Sequence, residues 1–277
     1  YKIILNLKKN KKMIDQKNLA NYNFEEREKI NIGSGLRDWK NWLCYDEFVA
    51  KGVTKVKFDE KTQFPNKDNS VSLFYSSHFF EHVSDEIIAR ILSEITRTAT
   101  SDALFVLKIP DYSWFLEQYK FSIKESMNDK GTEQVIWSWN SRGIEDNFEN
   151  RLAMMFCGYW NEDYGDHFSG CVNYISKTAF HGPPKLSSFE LKELFYFKSP
   201  YEIAKKLVNQ ALKDPNLKTF NHRNAWSEKE MVMLLSQFGF KLINNSKQFI
   251  CDNFIETIPD IENMRDWSAY YLFETTK

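Results

Sequence analysis

The chain of 277 residues has little of what marks membrane, secreted or nucleic-acid-binding proteins. No apolar stretch approaches the roughly 18 residues of a membrane-spanning helix, and the first residues lack the apolar core of a signal peptide. The four cysteines are scattered without a Cys-x-x-Cys pair, which is typical of reduced thiols. Basic and acidic residues number 37 and 38, so no net field draws the chain onto nucleic acid. We therefore expect a cytoplasmic protein without membrane or nucleic-acid partners.

One short apolar segment runs directly into the glycine-rich turn Gly33–Gly35. A strand that turns sharply past its carboxyl end needs residues that tolerate positive φ and let a ligand approach the backbone. Asp46 follows the next predicted strand, Trp42–Tyr45, where a carboxylate can accept hydrogen bonds from both hydroxyls of a ribose. This pattern predicts a pocket for a cofactor that carries adenosine.

The turn departs from the dinucleotide-binding pattern in two ways. That pattern has a third glycine three positions after the second, and here the position is Asp38, a carboxylate that would repel phosphates. Asp46 also comes only 11 residues after Gly35, whereas a dinucleotide site has its acid roughly 20 residues on. Both departures argue against NAD and favour a cofactor without phosphates, such as S-adenosyl-L-methionine.

A second block of the sequence strengthens this interpretation. Asp68–Ser70 predicts a turn, Val71–Tyr75 a short strand, and Ser76–His78 then lies at its carboxyl end, where open α/β sheets bind ligands. At this point the chain resembles the class I S-adenosylmethionine-dependent methyltransferases, and most of all their small-molecule methyltransferase domains. The matching pieces are Gly33 and Gly35, Phe64-Pro65, Asp68-Asn69-Ser70, Tyr75 to His78 and Glu81-His82.

The resemblance extends over about 30–110 and 220–277. Asp85–Thr98 has helical spacing of apolar residues, and the continuous apolar run Ala103–Pro110 predicts a buried parallel strand. Trp226–Phe240 predicts a crossover helix that ends near Gly239, and Phe240–Ile250 and Trp267–Thr275 resemble the closing antiparallel pair. The implied fold is α/β: a Rossmann-like, seven-stranded, mostly parallel sheet with an antiparallel last strand, plus a largely helical insertion that caps the carboxyl edge.

The chain divides into three parts on this interpretation. Residues 1–28 form an N-terminal arm, 29–110 and 221–277 form the cofactor-binding domain, and 111–220 form an inserted cap that selects the acceptor. The insertion is too long for a structureless loop, is rich in aromatic residues and contains predicted helices near 133–157 and 201–212. The alternative use of this insertion is an oligomerisation surface, so a homo-oligomer is an open expectation.

The resemblance also implies roles for individual residues. The glycine turn would meet the methionine part of the cofactor, and Asp46 would hold the ribose. Asp59 or Glu60, after the predicted strand Val53–Phe58, would meet the adenine amino group, and Ser76 to His78 would line the methyl-transfer site. The predicted cofactor-binding residues are Gly33, Ser34, Gly35, Asp46, Asp59, Glu60, Ser76, Ser77 and His78.

Histidines are the candidates for a base, because imidazole titrates in the range that deprotonation of a hydroxyl requires. In order, the candidates are His167, His181, His78 and His222, each with the alternative of a structural role. A magnesium site at Asp163, Asp166 and His167 is conceivable, but such a cluster is usually a solvated turn, so no metal is predicted. His82 is expected to be more structural than catalytic.

The predicted function is transfer of a methyl group from S-adenosyl-L-methionine to a hydroxyl or amine of a small molecule. A sugar or a glycan precursor of polysaccharide biosynthesis is the suggested acceptor, by analogy alone. Two alternatives remain: a non-catalytic methyltransferase-like binding protein, and an NAD or nucleotide-sugar enzyme of the same sheet class. Methylation of protein or nucleic acid is disfavoured, because the sequence has neither a basic groove nor an Asn-Pro-Pro-Tyr-type motif.

Overall fold

The structure is a computed structural model that describes most of the predicted cofactor domain and part of the insertion. The described residues are 19, 27–124, 149, 152, 153, 156, 166, 167, 180, 181, 186–211, 222–263 and 265–277. Most of the predicted arm, most of the predicted helix near 133–157 and all of 161–165 lie outside them.

Nine strands are found among the described residues. In chain order they are β1 Glu28–Ile32, β2 Leu43–Asp46, β3 Val53–Lys55, β4 Val71–Ser77, β5 Ala99–Pro110, β6 Asp166–His167, β7 Phe180–His181, β8 Phe240–Asn244 and β9 Ser268–Thr275. Seven of them form one sheet in the order β3-β2-β1-β4-β5-β9-β8. Only β9 in that sheet runs against its neighbours, β5 and β8. The predicted seven-stranded sheet with an antiparallel last strand is confirmed.

Six helices of eight or more residues are described. They are α1 Asp85–Thr98, α2 Tyr112–Lys124, α3 Ser188–Phe197, α4 Pro200–Ala211, α5 Glu228–Ser236 and α6 Lys247–Phe254. Ser187 and Ser227 precede α3 and α5 and form capping boxes. Each serine hydroxyl accepts from the backbone N–H of the glutamate three residues on, and that glutamate's carboxylate accepts from the serine's backbone N–H. None of the described helices has the length and apolar content that crossing a membrane requires.

Alternate side chains of each strand pack on opposite faces of the sheet, as the pleat requires. Phe74 of β4 lies in the cluster that α1 and α5 cover, while its neighbours Leu73 and Tyr75 lie in the cluster that α6 covers. Cys44 and Cys251 are buried in this second cluster and form no disulfide. The central strands are thus buried on both faces, which explains their continuous apolar sequences.

The connection between β1 and β2 contains no helix, although every residue from 33 to 42 is described. Trp39 and Trp42 pack in its place, with their rings 5.4 Å apart, against the residues of α6 and the segment after it. The Trp42 indole also donates to the carbonyl of Thr257 over 3.1 Å. Because these two rings and α6 cover this face of the sheet, a short connection suffices, and Asp46 therefore follows Gly35 closely.

The structure corrects three predicted elements. The strand predicted over Val53–Phe58 ends at Lys55, and the strand predicted over Phe240–Ile250 ends at Asn244. The rest of that second segment is helix α6, because the Ser246 hydroxyl accepts from Phe249 N–H and starts a helix there. Helix α5 is also shorter than predicted and ends at Ser236, after which Gly239 has a φ of 77°.

Part of the insertion has a hydrophobic core of its own. Helices α2, α3 and α4 contribute Tyr112, Phe195 and Leu207 to it, and Phe156 packs between them. The ring of Phe156 lies 4.9 Å from that of Tyr112 and stacks on Phe195 at 6.1 Å. A separate core fits an inserted unit, and the boundaries 111–220 stay a prediction.

Lys108 is a buried charge in the middle of β5, with 1% of its surface exposed. Its ammonium donates to the backbone carbonyls of Asp260, Ile261 and Asn263. Burial lowers the pKa of Lys108 to about 8, against the opposing charge of Asp260. These hydrogen bonds hold the segment after α6 against the sheet, and burial of the lysine costs desolvation energy.

We expect the stability of the fold to rise with pH between about 8 and about 10, because only the unfolded chain keeps the Lys108 proton there. Between about pH 7.5 and about pH 9.5 the gain should be about 2 kcal/mol. Lys108→Met should lower stability overall and remove this part of the slope. Urea unfolding of the native chain and the variant at both pH values gives the change in unfolding free energy for each protein. Subtracting the two changes removes the contribution of the titrating groups that both proteins share. If the unfolding free energies of the two proteins changed in parallel with pH, Lys108 would be charged to the same extent in the folded and the unfolded chain.

Candidate functional site

The turn after β1 is held against the end of β2 by backbone hydrogen bonds. Gly33 and Gly35 have φ values of 71° and 62°, in the left-handed region that glycine adopts without strain. The N–H groups of Gly33 and Ser34 both donate to the carbonyl of Tyr45, over 2.9 and 3.1 Å. The turn therefore lies at the carboxyl edge of the sheet, as the sequence predicted.

Asp46 is the last residue of β2 and links three segments around that turn. One carboxylate oxygen accepts from Gly35 N–H over 2.7 Å, the other from Phe48 N–H over 3.0 Å, and the Asp46 carbonyl accepts from Val56 N–H over 2.9 Å. The residue is 6% exposed. Each carboxylate oxygen keeps a second acceptor position, so Asp46 could still bind two hydroxyls of a ligand.

The two glycines are needed for different reasons. A Cβ on Gly33 would lie 2.2 Å from the ring of Phe79, so only glycine allows that ring to pack there. A Cβ on Gly35 would meet nothing within 4 Å, so open space adjoins this residue. Between them the Ser34 hydroxyl is buried without a hydrogen-bond partner in the described part of the chain. Open space beside an unsatisfied buried hydroxyl is the kind of place that a polar ligand completes.

Large apolar side chains are exposed around the same turn. Leu36, Phe48 and Val49 have 71%, 49% and 80% of their surface exposed. Leu36 follows the turn, and Phe48 and Val49 follow Asp46 closely in the chain. Exposed apolar side chains often mark a binding site, and two of these follow Asp46, an acid that can hold hydroxyls.

Asp59 and Glu60 lie four and five residues beyond the end of β3. The Asp59 carboxylate forms an ion pair with Lys57 at 2.7 Å and accepts from Lys61 N–H over 2.8 Å. The hydrogen bond from Lys57 is the main reason why the pKa of Asp59 lies below its usual range. Glu60 is exposed. Asp59 thus organises the turn to Thr62, and a role for either residue at an adenine stays a prediction.

The predicted methyl-transfer segment lies at the end of β4. Ser76 is fully buried, and its hydroxyl donates to the carbonyl of Ile32 over 3.0 Å, so its side chain joins β4 to β1. Ser77 is partly exposed. His78 has a φ of 51°, unusual for a residue with a side chain, and its N–H donates to the carbonyl of Lys108 over 2.9 Å. This bend turns the chain off the sheet immediately beside the glycine turn.

The structure collects three histidines around one buried carboxylate, that of Glu81. His78 Nδ1 lies 3.3 Å from Glu81 Oε1, and His78 Nε2 lies 2.8 Å from the hydroxyl of Ser268. The rings of His82 and His222 lie 4.6 Å apart, edge to face. Of the four predicted bases, His78 and His222 are therefore brought into one cluster, together with His82.

Glu81 is fully buried, and its charge is stabilised by these neighbours. Burial alone would raise the pKa of Glu81, but the hydrogen bond and charge of His78, with the charges of His82 and His222, lower it to about 2. Glu81 is consequently an ionised carboxylate at neutral pH in an interior position, which makes it a candidate functional residue.

His167 and His181 lie in the two-stranded sheet of the insertion. Strands β6 and β7 pair antiparallel, with Asp166 opposite His181 and His167 opposite Phe180. The two predicted bases are thus on neighbouring strands. The positions of their side chains lie outside what the structure describes, and so do residues 161–165, which include Asp163.

No role was predicted for Glu81, and His82 was expected to be more structural than catalytic; the structure places both beside His222. The signal was present, since an acid next to a histidine follows the strand that ends in Ser77. Tyr112, whose hydroxyl lies 2.9 Å from His222 Nδ1, carried no such signal.

No model of a known protein family matches the chain, and no curated protein matches it either. Solved structures with a similar backbone include a putative S-adenosylmethionine-dependent methyltransferase from Listeria monocytogenes, with 11% identity over 94% of this chain and 96% of that one and a TM-score of 0.40. A second, an S-adenosylmethionine-dependent methyltransferase from Mesorhizobium loti, has 12% identity over 89% and 90% of the two chains, with a TM-score of 0.38.

A third is a putative methyltransferase from Haloferax volcanii, solved with the Trm112 methyltransferase activator. It has 11% identity over 94% of this chain and 87% of that one, with a TM-score of 0.39. Likeness at this level says nothing of the reaction, acceptor or partners of this chain.

We expect Gly33→Ala to destabilise the fold by at least about 3 kcal/mol, because it adds a clash with Phe79 to the cost of a left-handed alanine. Gly35→Ala is the matched control, because Gly35 has a similar positive φ but open space where a Cβ would lie. It should lower the stability by only about 1–2 kcal/mol. Thermal unfolding of both variants measures the difference. Equal losses would mean that the Phe79 ring moves aside freely.

Proposed function

We propose that the protein is a methyltransferase that uses S-adenosyl-L-methionine as its methyl donor. The observation that carries the proposal is the hydrogen bond from Gly35 N–H to Asp46, which joins the glycine turn to the acid at one edge of the sheet. A ligand in the open space beside Gly35 would meet the backbone of the turn and the carboxylate at once. These are the contacts that an adenosine with a short polar extension needs.

The same geometry disfavours a dinucleotide. In dinucleotide sites the glycine turn opens a helix, whose N-terminus binds the pyrophosphate. Here the connection after Gly35 is not helical. Asp38, an exposed acid, follows the turn by three residues. A sulfonium cofactor has no phosphate and carries a positive charge, so it fits a site with acids better than NAD does.

Each element of the site has a role in this proposal. Asp46 would accept hydrogen bonds from the ribose hydroxyls, and Phe48 and Val49 would cover the adenine. The Ser34 hydroxyl, which lacks a partner among the described residues, would bond the amino-acid end of the cofactor. The bound cofactor supplies an activated methyl group, so the protein's contribution is mainly to align the acceptor with it.

The acceptor in this proposal is a hydroxyl or amine of a small molecule, such as a sugar. His78 is a base whose ring is already oriented, by Ser268 on one nitrogen and Glu81 near the other, and 17% of its side chain is exposed. His167 and His181 remain alternatives. The insertion, with its own aromatic core, would supply the acceptor pocket.

We expect the purified protein to bind S-adenosylhomocysteine with micromolar affinity and not to bind NAD. Asp46→Ala should weaken that binding at least about a hundredfold, because two ribose hydrogen bonds and the order of the turn are lost together. Isothermal titration calorimetry measures both ligands on both proteins.

Asp68→Asn is the matched control for this experiment, since it neutralises an exposed carboxylate before β4, at the opposite edge of the sheet, and should leave the affinity unchanged. Circular dichroism shows whether Asp46→Ala is folded. Binding of NAD would favour the dinucleotide enzyme instead, and binding of neither ligand would favour a non-catalytic protein.

We expect removal of the base to slow methyl transfer by about 10²–10⁴-fold while cofactor affinity stays within about threefold. The variants are His78→Ala, His167→Ala and His181→Ala, each assayed by release of S-adenosylhomocysteine with a panel of sugars and nucleotide sugars. Full activity of one variant removes that histidine from consideration. Full activity of all three would leave His222 as the remaining candidate of the four.

A further inference from the structure

Glu81, His82 and His222 form a compact group of metal-ligating side chains beside the end of β4. One donor atom from each lies within 4.8 Å of the other two. Glu81 and His82 belong to a single 3₁₀ turn, Phe80–His82, which follows the left-handed bend at His78. His222 comes from a distant part of the chain, and the N–H of Asn224 fixes that segment by donating to the carbonyl of Glu81 over 3.1 Å.

The Glu81 carboxylate is the least satisfied group in this cluster. It is fully buried, and among the described residues its oxygens have no partner beyond His78, whose Nδ1 lies 3.3 Å from Oε1. A buried carboxylate normally accepts several hydrogen bonds or coordinates a cation. By comparison, the buried Glu94 carboxylate accepts from Phe64 N–H and from the guanidinium of Arg97. Glu81 thus lacks, among the described residues, the direct hydrogen bonds that Glu94 has, and a bound cation would supply the missing contacts.

We propose that Glu81, His82 and His222 bind a divalent transition-metal ion of the zinc class. Two imidazoles and one carboxylate are a donor set that zinc uses in sites with an open fourth position, whereas magnesium and calcium prefer oxygen alone. Ligand bonds of about 2.1 Å place tetrahedral donors about 3.4 Å apart, so small side-chain rotations bring the present donors into position. Metal binding itself does not depend on the proposed methyl transfer.

The residues around the cluster also suit a metal centre. Ligating histidines are usually held by a hydrogen bond from the ring to an outer partner, and Tyr112 Oη lies 2.9 Å from His222 Nδ1. His78 Nδ1 lies 3.3 Å from Glu81 Oε1, and His78 is itself bonded to Ser268. These contacts fix the orientation of two of the three proposed ligands before an ion binds.

Cobalt is the probe that tests the proposal, because Co²⁺ occupies zinc sites and its visible absorption reports the coordination. The full chain is stripped with a chelator and titrated with Co²⁺ and then with Zn²⁺. We expect one Co²⁺ per chain, an absorption spectrum of four- or five-coordinate cobalt, displacement by Zn²⁺ and a higher melting temperature with the ion than without. A stripped protein that takes up no Co²⁺ or Zn²⁺ in this titration would overturn the proposal.

The variants Glu81→Gln, His82→Gln and His222→Gln should each weaken Co²⁺ binding at least about tenfold and lose the thermal shift. Glu86→Gln is the matched control, since it makes the same change at an exposed position near the start of α1 and should bind as the native chain does. If Glu81→Gln does not fold, the two histidine variants decide. Native affinity in both histidine variants, or an equal loss in Glu86→Gln, would show that the ion binds elsewhere.

Discussion

The Asp46 carboxylate is the interaction on which this edge of the molecule depends. It receives N–H groups from Gly35 and Phe48, while its own carbonyl receives the N–H of Val56, so three chain segments meet at one buried acid. A carboxylate in that position orders backbone that would otherwise be a free loop, and it keeps acceptor capacity for a ligand. The shape of the glycine turn and the chemistry of the proposed pocket therefore have the same cause.

A second buried acid, Glu81, organises the same edge of the sheet in a different way. Asp46 is satisfied by backbone N–H groups, whereas Glu81 is faced by imidazoles from His78, His82 and His222. Asp46 is the last residue of β2, and Glu81 follows the end of β4 by four residues, with β1 between the two strands in the sheet. Proposed cofactor and proposed metal would thus occupy adjoining places, because parallel strands present their carboxyl ends, and the loops that follow them, at one edge.

Elements with a strong local pattern were predicted well. Helix α1 has the bounds Asp85–Thr98 that its apolar spacing indicates, and β5 contains the whole predicted run Ala103–Pro110. Errors occurred where local and tertiary preferences compete. The segment after Asn244 contains residues typical of strands, but Ser246 caps a helix there and Phe254 completes the face that packs on the sheet. The tryptophans that replace a helix between β1 and β2 gave no signal of that role, because a packing partner more than 200 residues away is invisible in local sequence.

The sequence by itself determined the glycine turn, the acid at the end of β2 and the sheet that holds them, because these follow from backbone conformation and short spacing. The hypothesis of a phosphate-free cofactor also came from the sequence, from Asp38 and from the early position of Asp46. Only the tertiary structure decided that His222 meets Glu81 and His82, since a segment 140 residues away must dock on one 3₁₀ turn. Contacts of that kind depend on how whole elements pack, and no periodicity or motif encodes them locally.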